Sequence, residues 1–311
     1  MKRYEHVIVM GIDGAGAFFK DADTPHFDRI FADGAVTYTA LSSNPTISAE
    51  CWGSMLLGVG PEVHKLNNGI VMSKPYPVDS AYPSLFRRIR KEMPEAALGS
   101  FCDWNPITNG IVENNLRVTS ASARDELLTP QICEYIRREK PTFLFVQFDS
   151  VDYVGHMAGY GSKEHLQRIR EVDELIGDVF ETVEQSGMAE ETLFMLSADH
   201  GGTPFNGTGA SHGGWTDAEK LVTFAARGRG VKKGTVEAMN IRDLAAIVLY
   251  ALGIEAPAFD EQGWTSQIPT GLFADADLPE YRDISHLTGA APRRSDTQHT
   301  SEPVETKKAS P

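Results

Sequence analysis

The stretch Ser197-Ala198-Asp199-His200-Gly201-Gly202 follows Glu191-Thr192-Leu193-Phe194-Met195-Leu196, a short apolar run that reads as a buried strand. An Asp–His pair at the end of such a strand puts a hard oxygen and a borderline nitrogen into one cleft. That is the donor set of a zinc-type site, and open α/β sheets carry their sites at the carboxyl ends of strands. Two other strand-like runs end in the same way. His6–Ile12 leads into Asp13-Gly14-Ala15-Gly16, where glycine permits close approach. Residues 141–148 lead into Asp149-Ser150-Val151-Asp152-Tyr153-Val154-Gly155-His156. Asp152 and His156 are four apart, so a helix puts both on one face, and a loop folds back at Gly155. His212 stands among glycines in Gly209-Ala210-Ser211-His212-Gly213-Gly214. Taken singly, each Asp reads equally as a turn or cap residue, and each His as a surface group. Taken together, three Asp and three His make two tridentate N/O sites with positions open for substrate. Two cations about 4 Å apart hold both the attacking and the leaving oxygens of an in-line phosphoryl transfer.

A hydroxyl completes such a site. In Asn44-Pro45-Thr46-Ile47-Ser48 a polar start precedes Trp52, Met55 and Leu56 at helical spacing. Ser48 therefore falls at or next to a helix N-terminus, where free N–H groups and the positive dipole end favour an anion. A serine there is either a plain helix cap or, if a metal lowers its pKa, a nucleophile.

The elements that must position these groups follow from pattern. The Ser48 helix is expected to end at Gly58, with Glu62, His64, Lys65 and Asn67-Asn68-Gly69 in a loop. Thr24 reads as an N-cap, Pro25 as the first position and Gly34 as the C-cap of an earlier helix. A short strand is expected over 38–41, an irregular stretch over 70–83, a helix over 82–91 and a buried strand over 96–101. Leu127, Leu128, Ile132 and Ile136 predict an amphipathic helix over 125–139 with these four on one face. A long helix over 165–185 is expected to cover the sheet. Residues 221–226 read as an edge strand, and 242–253 as a helix with a glycine C-cap. From Thr288 the composition is Ser, Thr, Pro and charge, so 288–311 reads as a disordered tail behind one α/β domain of residues 1–287.

Composition narrows the class. The 311 residues are 41% hydrophobic, ordinary for a globular chain with a sizeable core, and nothing repeats internally. A net charge of −14 argues against a nucleic-acid polymer as partner. No apolar run approaches the roughly 18 residues of a membrane span, so no membrane partner is expected. Val7-Ile8-Val9-Met10 is too short for a signal-peptide core. Cys51, Cys102 and Cys133 are isolated and odd in number, which points to a reducing cytoplasm. Gly14 and Gly16 suggest a dinucleotide loop, but Phe19 stands where the third glycine of that fingerprint belongs.

As an ordered set, Gly11-Ile12-Asp13-Gly14, Pro45-Thr46-Ile47-Ser48, the stretch from Gly58 to His64, Asp152-Tyr153-Val154-Gly155-His156, Ser197-Ala198-Asp199-His200-Gly201 and His212 resembles the alkaline phosphatase superfamily. The nearest branch is the nucleotide pyrophosphatases/phosphodiesterases, and the resemblance spans about residues 5 to 255. It implies a three-layer αβα fold with a mostly parallel central sheet. It implies two divalent cations, zinc first, with manganese or iron open to such N/O ligands. By that likeness Asp13, Asp199 and His200 hold one cation, which faces Ser48. Asp152, His156 and His212 hold the other. Ser48 would be phosphorylated and the phospho-serine hydrolysed.

The chain departs from the branch at three points. Ser48 stands where threonine is usual. Cys51 stands where the branch places an Asn donor three residues on, and Glu50 brings a carboxylate near a phosphate. Oxyanion contacts are then expected from the cations, the Ser48 or Ala49 N–H, or another side chain, with Cys51 and Asn68 as the candidate substrate contacts. Ser48-Ala49-Glu50-Cys51-Trp52 lacks the Pro and Arg of a sulfatase motif. No Arg lies between Leu41 and Phe86 to meet a phosphomonoester dianion. The expected substrate is a small-molecule phosphodiester or pyrophosphate of nucleotide type. Monoesters, phosphonates and an inactive metal-binding protein are the alternatives.

Overall fold

The computed structural model describes residues 2–207, 209–236, 238–274 and 278–284. The expected tail of 288–311, and the end of the expected domain, lie outside the described residues. The chain runs β1 (His6–Ile12), α1 (Pro25–Phe31), β2 (Ala35–Leu41), α2 (Ser48–Leu57), α3 (Pro61–His64), α4 (Asn68–Ser73) and α5 (Leu85–Glu92). It continues through β3 (Leu98–Cys102), α6 (Pro106–Gly110), β4 (Thr119–Ala121), α7 (Asp125–Glu139), β5 (Phe143–Phe148), α8 (Ser150–Ala158) and α9 (Lys163–Gln185). It closes with β6 (Thr192–Ala198), α10 (Asp217–Lys220), β7 (Leu221–Arg227) and α11 (Asp243–Leu252).

One seven-stranded sheet has the order β2-β7-β6-β1-β5-β3-β4. β4, β3, β5, β1 and β6 are parallel, and β7 is antiparallel to both β6 and β2. Parallel strands are buried on both faces, which is why β1, β5 and β6 read as apolar runs. Successive strand residues point to opposite faces, so Phe143 and Phe145 of β5, two apart, share one. Phe143 meets Phe86 of α5 and Phe145 meets Trp52 of α2. On β3, Phe101 meets Tyr135 of α7. On β6, Phe194 meets Phe180 of α9. The sheet is thus the middle of three layers.

The register sets up the site. Ile12 of β1 pairs with Phe148 of β5 and with Ala198 of β6. The next residue on each strand is an aspartate, so Asp13, Asp149 and Asp199 leave the sheet at one level.

Several sequence expectations are corrected. β7 is not an edge strand; β2 lies outside it and spans 35–41 rather than 38–41. Residues 61–64 and 68–73 are short helices, not loop and irregular chain. α1 begins as expected, with Thr24 at the N-cap and Pro25 first, but it stops at Phe31, before Gly34, and the Thr24 side chain makes no capping hydrogen bond. Asp173 of α9 does that work, accepting the His26 and Phe27 N–H groups at 2.8 and 2.7 Å. Leu127 is exposed, off the buried face of Leu128, Ile132 and Ile136. The 125–139 helix and the Gly58 and Gly253 caps fall where the pattern puts them. The helix expected over 165–185 starts two residues earlier, capped by Ser162.

Candidate active site

The six expected ligand residues come together at the carboxyl ends of β1, β5 and β6. Asp13 and Asp199 follow their strands directly. Ser150 begins α8, so Asp152 and His156 project from the same face one turn apart. His212 reaches in from the glycine-flanked loop after β6.

His200 Nε2 marks the first cluster. It lies 3.4 Å from Asp13 Oδ1, 3.3 Å from Asp199 Oδ2 and 3.3 Å from Ser48 Oγ. His156 Nε2 marks the second, 3.2 Å from Asp152 Oδ2 and 3.2 Å from His212 Nε2. The His200 and His212 rings stack at 3.8 Å, which sets the clusters side by side. Asp152 is in reach of both, since Asp13, Asp152 and His200 also bring ligand atoms within 4.8 Å of one another.

Each ligand has one atom tied by the protein and another turned inward. Asp13 Oδ2 accepts from Trp52 Nε1 at 2.8 Å and Gln147 Nε2 at 3.0 Å. Asp199 Oδ1 accepts the Gly14 and His200 N–H groups at 3.1 and 2.8 Å. Asp152 Oδ1 accepts from the Tyr160 hydroxyl at 2.6 Å. The three imidazoles set Nδ1 against backbone carbonyls, His200 on Gly201, His156 on Ala210 and His212 on Thr46. That turns each Nε2 toward the carboxylates, as in metal-binding histidines, and the Asp152 carboxylate pushes the His156 imidazole up.

The inward carboxylate oxygens of the first cluster, Asp13 Oδ1 and Asp199 Oδ2, are buried and accept no hydrogen bond. Burial pushes Asp13 up, as do the charges of Asp199, Asp152 and Asp149. Burial and the Asp152 charge push Asp199 up. Burial holds His200 down at about 3, reinforced by His212, and holds His212 down as well. Against burial, the hydrogen bond from His156 keeps Asp152 well below the usual carboxylate range. Crowded carboxylates with orphaned oxygens, and imidazoles that turn Nε2 toward them, fit a pair of divalent cations.

Ser48 is the first residue of α2, with Ile47 at the N-cap, as the sequence places it. Asn68, first residue of α4, is brought beside it: its Oδ1 accepts the Ala49 N–H at 3.0 Å. The Ala49 N–H is therefore committed and is not the oxyanion donor the sequence reading offered. Asn68 keeps its amide N–H groups to donate. Cys51 is corrected too. It is 0% exposed, with Sγ against Ser42 Oγ at 3.3 Å, and so cannot touch a substrate. Burial raises Glu50 to about 7, which softens the repulsion expected from a carboxylate near a phosphate.

Trp52, Gln147 and Tyr160 were missed as site residues. Trp52 carried a signal, since it lies one helical turn from Ser48 on the same face. Gln147 carried another, a single amide inside the apolar run of β5. Tyr160 carried none.

Residues 100–274 match the family model described as type I phosphodiesterase/nucleotide pyrophosphatase. Among curated proteins, GPI ethanolamine phosphate transferase 2 of Aspergillus fumigatus is 22% identical over 227 residues, 70% of this chain and 29% of that protein. The bis(5'-adenosyl)-triphosphatase of Pongo abelii is 29% identical over 101 residues, 32% of this chain and 22% of that protein. This chain thus spans less than a third of either relative. Murine ectonucleotide pyrophosphatase/phosphodiesterase 5, solved in an inactive form with AMP, superposes with a TM-score of 0.66 at 16% identity. That match covers 82% of this chain and 97% of the murine one, a likeness of fold.

Proposed function

The chain belongs to the type I phosphodiesterase/nucleotide pyrophosphatase family, and from that premise we propose a two-cation hydrolase that cleaves phosphodiester or pyrophosphate bonds through a phosphorylated Ser48. The family membership carries the coarser statement, a phosphodiesterase-type hydrolase. The finer one rests on a single observation: Ser48 Oγ shares His200 Nε2 with the two orphaned oxygens of Asp13 and Asp199.

Asp13, Asp199 and His200 would hold one divalent cation next to Ser48, and Asp152, His156 and His212 the other. When bound, the pair would lower the pKa of the serine hydroxyl and neutralise charge on the phosphoryl oxygens. The chain's own groups do the rest. Ser48 Oγ attacks phosphorus from the N-terminus of α2, where the helix dipole favours the anionic group. The Asn68 amide donates to a phosphoryl oxygen, held in place by the Ala49 N–H on its carbonyl side. One alcohol, or one phosphate half, leaves with the serine proton while the other group stays on phosphorus; hydrolysis of that Ser48 phosphoester releases the remaining monoester and restores the hydroxyl.

Among the described residues, the ion pairs of Asp13, Asp152 and Asp199 are with histidines and none is with Lys or Arg. With no guanidinium in the cluster to meet a dianion, a diester is favoured over a monoester. The AMP in the murine neighbour and the triphosphatase relative support a nucleotide-like ester. Zinc is the first expectation for the cations, with manganese or iron compatible. Three free, buried cysteines are in keeping with the cytoplasm. No helix among the described residues is long and apolar enough to cross a membrane.

The test is hydrolysis of bis-p-nitrophenyl phosphate against p-nitrophenyl phosphate by zinc-loaded protein, with Ser48→Ala alongside. Faster diester turnover, lost in the variant, is the expected result. Faster monoester turnover would move the reading to a phosphatase. No turnover on either with metal bound would overturn it.

A further inference from the structure

Tyr160 lies just past α8 and is 2% exposed. It touches all three residues of the second cluster. Its hydroxyl donates to Asp152 Oδ1 at 2.6 Å, and its ring stands 5.6 Å from the His156 ring and 6.2 Å from the His212 ring. The chain makes room for that ring twice. A Cβ at Gly155 would lie 2.5 Å from Tyr160 Cε1, and one at Gly202 would lie 2.4 Å from Cδ2. His165 closes another side, with ring centroids 5.4 Å apart. A phenol enclosed this way has little freedom, and its hydroxyl is aimed at one carboxylate oxygen.

That oxygen matters because Asp152 is in reach of both ligand clusters. A Cβ at Gly14 would be 2.4 Å from Asp152 Oδ1, and the Gly14 N–H holds Asp199. Oδ1 lies between that glycine and His212, whose Nε2 is 4.0 Å away, while Oδ2 lies 3.2 Å from His156 Nε2. Left free, a carboxylate so placed can join the two sites or turn between them.

We propose that Tyr160 is a positioning residue that orients Asp152 for the His156–His212 cation: its hydroxyl holds Oδ1, and this would turn Oδ2 toward His156 as the oxygen available to that cation. This rests on the two-cation reading above. A hydrogen-bonded partner of a ligating carboxylate typically contributes about 10–100-fold to metal affinity.

The experiment is a titration of the metal-free 311-residue chain with zinc in competition with a chromophoric chelator, repeated with cobalt(II) to read the visible bands of each equivalent. Tyr160→Phe keeps the ring and removes only the hydroxyl. His212→Ala identifies which equivalent belongs to the second site. In Tyr160→Phe one equivalent should bind as in the wild type. The His212-dependent one should weaken by about 10–100-fold with altered cobalt bands. The melting temperature of the metal-free variant should match the wild type. Two wild-type affinities with unchanged bands would overturn the proposal. So would equal weakening of both sites together with a lower metal-free melting temperature, the mark of a merely structural tyrosine. A wild-type protein that takes up no cation would overturn the two-cation reading itself, and that is visible before any variant is made.

Discussion

Trp52 Nε1 donates to Asp13 Oδ2 at 2.8 Å, joining the helix that carries Ser48 to the strand end that carries a ligand. Gln147 on the neighbouring strand donates to the same oxygen, so Oδ1 is the one left without a partner. Gly11 lets the indole approach, since a Cβ there would sit 2.6 Å from Trp52 Cη2. The two hydrogen bonds hold the rotation of the carboxylate, and the one from Trp52 also ties it to the helix of the nucleophile. Trp52→Phe should keep most of the packing and lose the N–H. Zinc affinity of the Asp13 site should fall by about ten-fold, with the His212-dependent site unchanged, in the same chelator competition. Equal wild-type affinities at both sites would show that Gln147 alone holds the carboxylate.

Ser48 carries the covalent step. Removing a nucleophile from a site that acts as a unit typically costs at least about 10³-fold. Ser48→Ala should therefore lose diester turnover to that extent while still taking up two equivalents of zinc. Acid-quenched wild-type enzyme should carry the remaining phosphoester, p-nitrophenyl phosphate from the bis ester, on the peptide that contains Ser48. Turnover that survives in the variant would mean that water attacks directly and serine only binds.

Much of this site was legible because strand ends leave local marks. Asp13, Asp152, Asp199 and His200 each follow an apolar run, and a parallel sheet brings such ends together. Ser48 was legible because a helix start has a hydroxyl-then-apolar pattern. Asn68 and Cys51 were read less well. Which face of a first helical turn looks into the cleft depends on how α2 packs on the sheet, and that put Cys51 in the core. Asn68 lies 20 positions from Ser48, and only the turn through α3 returns it to Ala49. The position of β7 inside the sheet was hidden for a similar reason. Its pattern of LVTFAAR suits either an edge or an interior place, and the partner that decides is β2, far earlier in the chain.

Asn68 offers a separate test, because its two ends do different work. Its carbonyl accepts the Ala49 N–H, and its amide is left to donate. Loss of one oxyanion donor typically costs about 10²-fold or more in kcat. Asn68→Ala should fall by about that much on a diester. Asn68→Asp keeps the acceptor for Ala49 but has no N–H, so it should fall at least as far. An aspartate variant with wild-type kcat would assign Asn68 to helix positioning alone.

The last prediction concerns stability in acid and a histidine away from the ligand clusters. His64 is 8% exposed, its Nδ1 accepts the Leu66 N–H at 2.9 Å, and its Nε2 lies 3.3 Å from Ser54 Oγ. Burial holds it down at about 3, helped by the charges of Arg242 and Lys65. The unfolded chain has an ordinary imidazole near 6.5. Above that pH both states are neutral at this position and His64 has no effect on the pH dependence. As pH falls below it, the unfolded state binds a proton that the folded state refuses, so stability declines until about pH 3. The slope from one such group is at most about 1.4 kcal/mol per pH unit. Urea unfolding of the metal-free protein from pH 7 to 5 should therefore lose stability more steeply in the wild type than in His64→Gln, which cannot take up the proton. Other buried histidines act in both proteins, so the difference between the two curves isolates His64. Parallel curves would mean that the folded protein protonates His64 in place, and that its pocket is wetter than the packing around Gly53 and Leu66 implies.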